Sequence, residues 1–199
     1  MGHDTMSNVI KVSALERHPA YPKALGILSA EIGVLEMLLG ELLGAVLGVA
    51  PHVGQIIYNS PQSYTGRLDI LSNVISAVLR PEAAVTKRLI QFIKRTRARI
   101  QYRNTAMHSL WGIKKSDPSI VTRRDVPLLE GRAAVEVPIT EIENQITKLR
   151  ILIDEVESEI PSVIAQRRQF FLSRNKSRKR GRAARPGTKD RASRRTLLR

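Results

Sequence analysis

Residues 24–50 read ALGILSAEIGVLEMLLGELLGAVLGVA, the most apolar stretch of the chain and one without proline. By length it could span a bilayer. Glu31, Glu36 and Glu41 argue against that. At ~100° per residue they point in three directions, so one shielded face cannot hold them all. Each would cost roughly 2.5–3.5 kcal/mol at mid-bilayer. The stretch is expected to be a helix buried inside a protein on much of its circumference. Gly26, Gly33, Gly40, Gly44 and Gly48 fall in one narrow stripe of that helix. Each costs about 1 kcal/mol of helix propensity relative to alanine. A smooth stripe of this kind lets a second helix come close, either within the chain or across a dimer seam.

Working outward, Pro51 ends the helix, and residues 51–60 read as a short connection or a helical turn. A second helix over about 63–79 carries Leu68, Leu71, Ile75 and Leu79 on one side. Arg80-Pro81 breaks it, and Pro81 suits the first turn of a third helix, where its missing N–H costs nothing. That helix is predicted to run to about Trp111, with Gly112 as its stop. Pro118, Pro127, Gly131 and Pro138 punctuate β-branched pieces over 113–139, which predicts a loop with a small hairpin. Thr140 and Glu143 have capping-box spacing. Ile142, Ile146, Leu149, Ile153 and Val156 then mark a last helix, expected to break or kink near Pro161 and resume to about Leu172. No segment repeats another. The expected class is all-α: a four- to five-helix up-down bundle with a short loop or hairpin insertion. The expected division is an N-terminal segment 1–22, a helical domain 23–172 and a disordered basic tail 173–199.

Charge is concentrated in that tail. The chain has 33 Lys+Arg against 18 Asp+Glu, a formal +15. Residues 173–199 hold twelve of the cations and a single acid, Asp190, hence +11, and the other residues share +4. With only Leu197 and Leu198 as large apolar side chains, the tail has little to offset chain ordering. A basic arm of this kind binds phosphates without sequence preference, or serves only to solubilise. There is no cysteine, which excludes a disulfide scaffold, cysteine-ligated zinc and a thiol nucleophile. Residues 1–22 lack the apolar run of a secretory signal. Met6 stands where a myristoylation motif needs Ser or Thr. A cytoplasmic location without membrane attachment is expected.

The third helix carries the chemistry. Val85, Leu89, Phe92, Ile93, Thr96, Ile100, Met107, Leu110 and Trp111 form one stripe about 100° wide on a helical wheel, as a core-facing helix should. Arg103 projects along the middle of this stripe. Asn104 and His108, four residues apart, are neighbours at its edge. Arginine keeps its charge, so within an apolar stripe it must be paired, or it must line a wet cleft or an interface. The structural explanation would be a bond to Glu31, Glu36, Glu41 or Asp69. His108 taken alone reads as an ordinary helix-surface histidine.

The joint pattern Arg103-Asn104-Thr105-Ala106-Met107-His108 resembles the motif of the HEPN superfamily, all-α proteins that often act as ribonucleases. That motif is Arg, four to six residues, then His, commonly with a polar residue after the Arg. The resemblance covers about residues 23–172. It implies an endoribonuclease that needs no metal and no cofactor. The 2′-OH of RNA would be the nucleophile, leaving a 2′,3′-cyclic phosphate, with DNA uncut. Arg103 would hold the scissile phosphate, His108 would move the proton near neutral pH, and Asn104 would orient the His or donate to a phosphate oxygen. Arg95 and Arg99 upstream, and Arg174, Lys176, Arg178, Lys179, Arg180 and Arg182 in the tail, are the candidate RNA contacts. The resemblance also implies a homodimer with two motifs in one cleft, and a toxin or defence effector, with an antitoxin protein as one partner. Leu110 stands where some toxins of the superfamily carry a tyrosine that a partner enzyme modifies, so that control is not carried over.

Two other functions stay open on the sequence. One is a non-catalytic RNA- or DNA-binding helical protein that uses its basic tail. The other is a partner-binding helical module that uses the glycine face. No P-loop, dinucleotide fingerprint, His-Glu-x-x-His or nucleophile elbow is present. His3, His18 and His52 lack metal-ligand spacing. The acids of the last helix, Glu141, Glu143, Asp154, Glu155, Glu157 and Glu159, read as a solvated face.

Overall fold

A computed structural model describes residues 9–11, 14–114, 120–124 and 135–183. Helices dominate, as expected: α1 (Ala14–Arg17), α2 (Ala20–Leu47), α3 (Pro51–Asn59), α4 (Tyr64–Val78), α5 (Ala84–Met107) and α6 (Ile139–Ala183). The described strands are β1 (Val9–Lys11), β2 (Ser109–Lys114), β3 (Ile120–Arg124) and β4 (Val135–Glu136). They form a small sheet in the order β1-β2-β3-β4. All its pairs are antiparallel, with Ile10 opposite Ile113, Ile113 opposite Ile120 and Val121 opposite Glu136.

Helix α2 is the axis of the fold. It touches α3, α4, α5 and α6, and Leu28, Ile32, Leu35, Leu39, Leu42 and Leu43 are sealed from solvent. Leu68, Leu71 and Ile75 of α4, Leu89, Phe92 and Ile93 of α5, and Ile142, Leu149 and Val163 of α6 complete the core. Two of the α2 glutamates form ion pairs with other helices: Glu31 with Arg150 of α6 and Glu36 with Arg67 of α4, both at 2.7 Å. Among the described residues no single helix is long and apolar enough to cross a membrane. Taken together, α2 and α3 would pass by length and composition, but they bend by 113°.

The bend has a local cause. Gly48 adopts φ 70° and ψ 40°, a left-handed conformation that suits glycine. Its N–H and that of Val49 both donate to Gly44 O, at 2.7 and 3.0 Å. Pro51 then opens α3, where a missing N–H costs nothing. The returning α3 lies on the C-terminal half of the glycine stripe. A Cβ built on Gly54 would meet Gly44 Cα at 2.6 Å, so this approach requires glycine at 54, whereas a Cβ on Gly44 would meet its neighbours only at 3.4–3.5 Å. Gln55 covers Gly40 and donates to Met37 O. The N-terminal half of the stripe is different. Gly26 and Gly33 face open space, with nothing within 4 Å of an added Cβ.

Helix α4 starts at Ser63, whose Oγ accepts the Gly66 N–H at 3.1 Å. Four sequence expectations need correction. Helix α5 stops at Met107, not near Trp111, and residues 109–114 continue as β2 with Gly112 inside the strand. Ser109 Oγ donates to Thr105 O at 2.6 Å and Trp111 Nε1 to Ala106 O at 3.0 Å, so side chains satisfy carbonyls at the helix end. The region 113–139, expected as a loop with a small hairpin, thus supplies β3, β4 and the end of β2, and β1 completes the sheet. The sheet is held to the helices by Trp111, packed edge-on against Tyr21, and by the Tyr21 hydroxyl, which donates to Val137 O at 2.9 Å.

Second, α6 begins at Ile139, which places Thr140 inside the first turn rather than at the cap. Third, α6 passes through Pro161 as one helix. Val156 and Val163, buried on either side of it, hold that helix against the core. Fourth, the segment expected to be disordered from 173 is helical to Ala183. Extending an existing helix needs no new nucleus, and Arg, Lys and Ala are good helix formers. Residues 184–199 of the expected tail, and residues 1–8 and 12–13 of the expected N-terminal segment 1–22, lie outside the described residues.

Candidate functional site

The Arg103–His108 motif occupies the last turn of α5. Ile100 and Ala106 anchor that turn in the core. Arg103 is half-buried between them in sequence. Its Nη1 donates to Asn104 Oδ1 at 3.0 Å. Its Nε is buried and has no hydrogen-bond partner. Because arginine can only donate, the amide oxygen of Asn104 must face it, and the Asn104 NH₂ is left free to donate elsewhere.

The structural explanation for Arg103 does not hold. Of the four carboxylates that could have neutralised it, Glu31 pairs with Arg150, Glu36 with Arg67 and Asp69 with Arg97. Glu41 forms no ion pair among the described residues. Among the described residues Arg103 therefore sits partly withdrawn from water with one neutral partner and no counter-charge. A guanidinium in this state is a ready acceptor of an anion, since an oxyanion would supply both the missing charge and the missing hydrogen bonds.

His108 is the residue after the helix, with φ −102° and ψ 8°. Its backbone N–H donates to Asn104 O at 3.1 Å, so it stands one turn beyond Asn104. Its side chain is exposed and hydrogen-bonds to neither Arg103 nor Asn104. The fold thus joins Arg103 to Asn104 directly and leaves the imidazole at the solvent edge of the same helix end.

Met107 beside it is 44% exposed. Its sulfur accepts a long contact from Ser29 Oγ at 3.7 Å. This places the end of α5 next to the open, N-terminal half of α2's glycine stripe, where Val34 and Met37 are also exposed.

On the other side of Asn104 lies a half-open cleft of about 400 Å³ between α5 and the first turns of α4. Tyr64, Thr65, Gln101, Asn104 and Thr105 are among its walls. No pattern in the sequence signalled this cleft, because its two walls are some forty residues apart.

The expected upstream RNA contacts are engaged within the protein. Arg95 makes a two-pronged pair with Glu155, Nη1 to Oε1 at 3.0 Å. Arg99 donates to Gln145, which donates to Glu141 at 2.6 Å. Arg88 forms a further bidentate pair with Glu159, and that contact raises the affinity of the Arg88 guanidinium for its proton. Glu155 and Glu159 thus join α6 to α5, and Glu141 holds the Gln145 that Arg99 reaches, rather than all forming only a solvated face. Arg174, Lys176, Arg178, Lys179, Arg180 and Arg182 all fall on the C-terminal extension of α6.

Among the described residues no group of three or more His, Asp or Glu could hold a metal ion. Comparison with family models, with curated proteins and with solved structures gave no match.

Proposed function

We propose that this protein is an endoribonuclease of HEPN type, cleaving RNA through attack of its own 2′-OH. One observation carries the proposal: among the described residues, Arg103 is half-buried, bonded only to the neutral Asn104, and lacks the carboxylate partner that a structural arginine would have. An RNA phosphate complements this guanidinium in charge and in hydrogen-bonding capacity. In the proposed mechanism Arg103 binds a non-bridging oxygen and offsets charge that grows in the transition state. His108 exchanges a proton with the 2′-OH or the leaving 5′-oxygen, a role suited to an imidazole at neutral pH. The Asn104 NH₂ donates to the phosphate or to the flanking nucleotide. The basic C-terminal extension adds sequence-independent affinity.

A second copy of the chain would complete the site. The exposed Gly26–Gly33 face of α2, with Val34, Met37 and Met107 beside it, offers a smooth apolar seam next to the motif. A growth-restricting or defence role, with an inhibitory protein partner, belongs to the same proposal.

One feature favours the alternative of a non-catalytic RNA-binding protein: among the described residues no side chain orients the His108 imidazole, whereas a catalytic base ordinarily has such a partner. The test is cleavage of single-stranded RNA in EDTA by the full chain, beside Arg103→Ala and His108→Ala. Cutting by the unsubstituted protein alone, with 2′,3′-cyclic phosphate ends, supports the ribonuclease. Equal cutting by all three, or intact RNA, rejects it.

A further inference from the structure

Resting on the reading of Arg103 as a phosphate holder, we infer that the cleft between α4 and α5 is a base-recognition subsite, which seats the nucleobase next to the bound phosphate. Size is the first argument. About 400 Å³ lies in the range of small-ligand pockets and admits one nucleoside rather than a folded chain.

The lining is the second. Thr65, Gln101, Asn104 and Thr105 bring neutral donors and acceptors, while Tyr64 and Ile100 add flat or apolar surface. The one charged side chain in the wall, Arg97, is already paired with Asp69 at 2.7 Å. A neutral wall with several hydrogen-bonding groups suits an uncharged heterocycle with polar edges, and does not suit a second phosphate. Tyr64 already carries the Arg67 guanidinium 5.3 Å from its ring centre, so the ring is held as a platform against which a base can stack.

Continuity is the third. Asn104 belongs to both places: its oxygen holds Arg103, and its NH₂ is free to donate to a base carbonyl or ring nitrogen. Phosphate and base recognition therefore meet at one side chain, as they must for adjacent parts of one nucleotide.

The experiment titrates the full chain with the four ribonucleoside 3′-monophosphates, and separately with inorganic phosphate, following backbone amides by NMR. The expected result is saturable shifts at Thr65, Gln101 and Thr105 with nucleotides, absent with inorganic phosphate, and at least a threefold affinity spread among the bases. Gln101→Ala, at an exposed position that tolerates truncation, should reduce that spread while leaving the response to inorganic phosphate near Arg103 intact. Shifts that avoid this cleft, or that inorganic phosphate reproduces, overturn the inference. The outcome is separable from the cleavage assay. A chain that binds bases here yet cuts no RNA keeps the subsite and loses the ribonuclease, whereas a chain that cuts RNA without these shifts loses the subsite alone.

Discussion

Arg103 donates to the side chain of its own neighbour, Asn104, at 3.0 Å, and to no carboxylate among the described residues. The Asn104 side chain therefore sets the pose of the guanidinium and, being neutral, leaves its charge uncompensated. Asn104→Asp keeps the acceptor but adds the missing counter-charge. RNA cleavage should fall by about 10²-fold or more, the scale of losing one transition-state donor. The melting temperature should hold or rise. A variant that melts lower and still cuts at full rate would show that Arg103 is structural.

The facing glycines of α2 and α3 predict opposite outcomes along one stripe. Gly54→Val would drive a side chain into the α2 backbone and should cost about 1–3 kcal/mol in denaturant unfolding, the usual scale of overpacking. Gly33→Ala fills open space on a helix and should stabilise by about 0.4–1 kcal/mol. Equal effects at the two positions would contradict the close helix approach.

Gly48 closes α2 in the left-handed region, and the Arg167 guanidinium of α6 lies where its Cβ would be. Gly48→Ala should destabilise by at least about 1–2 kcal/mol from backbone strain alone. Adding Arg167→Ala should recover part of the loss, the part due to the clash. Thermal melts of the two single variants and the double variant measure this coupling.

Tyr58 is sealed in the core, and its hydroxyl has no hydrogen-bond partner. Burial pushes its ionisation above the ordinary tyrosine value, as it does, more mildly, for Tyr21 and Tyr102. A raised folded-state value means the native chain holds these protons after the unfolded chain has lost them. Stability is then complete below about pH 10 and declines as pH climbs past it. Tyr58→Phe removes a stranded polar group and should be neutral or stabilising by about 1 kcal/mol at pH 7. It should also flatten the alkaline decline, read from unfolding midpoints between pH 8 and 11.

The arginines of α5 and of the C-terminal extension should separate in a salt titration. Arg95 and Arg99 are held by Glu155 and Gln145. Substituting them with alanine should leave RNA affinity within about twofold and its salt slope unchanged. Deleting residues 173–199 should weaken binding and shallow the slope of log K against log salt, in proportion to the phosphate contacts removed. A large affinity loss from Arg95→Ala would place α5 in the RNA path instead.

The helical class was written in local patterns. The apolar run at 24–50, the prolines at 51, 61 and 81, and the spacing of Ile142, Ile146 and Leu149 need no partner to be read, because helix periodicity and helix breaking act over a few residues. The Arg103-Asn104-His108 motif was legible for the same reason. Other features depended on distant chain segments. The end of α5 at Met107 was not legible, since Leu110 and Trp111 continue the apolar stripe, and only the pairing of β2 with β1 and β3 makes a strand there. Nor could spacing reveal that Glu31, Glu36 and Asp69 are claimed by Arg150, Arg67 and Arg97, which takes these three acids from Arg103. The cleft beside Asn104 likewise exists only because α4 packs on α5. By itself the sequence determined the helical class, the main apolar helices and which residues carry charge. The tertiary structure decided which charges neutralise one another, because ion pairing depends on distance in space, and that choice defines the candidate site.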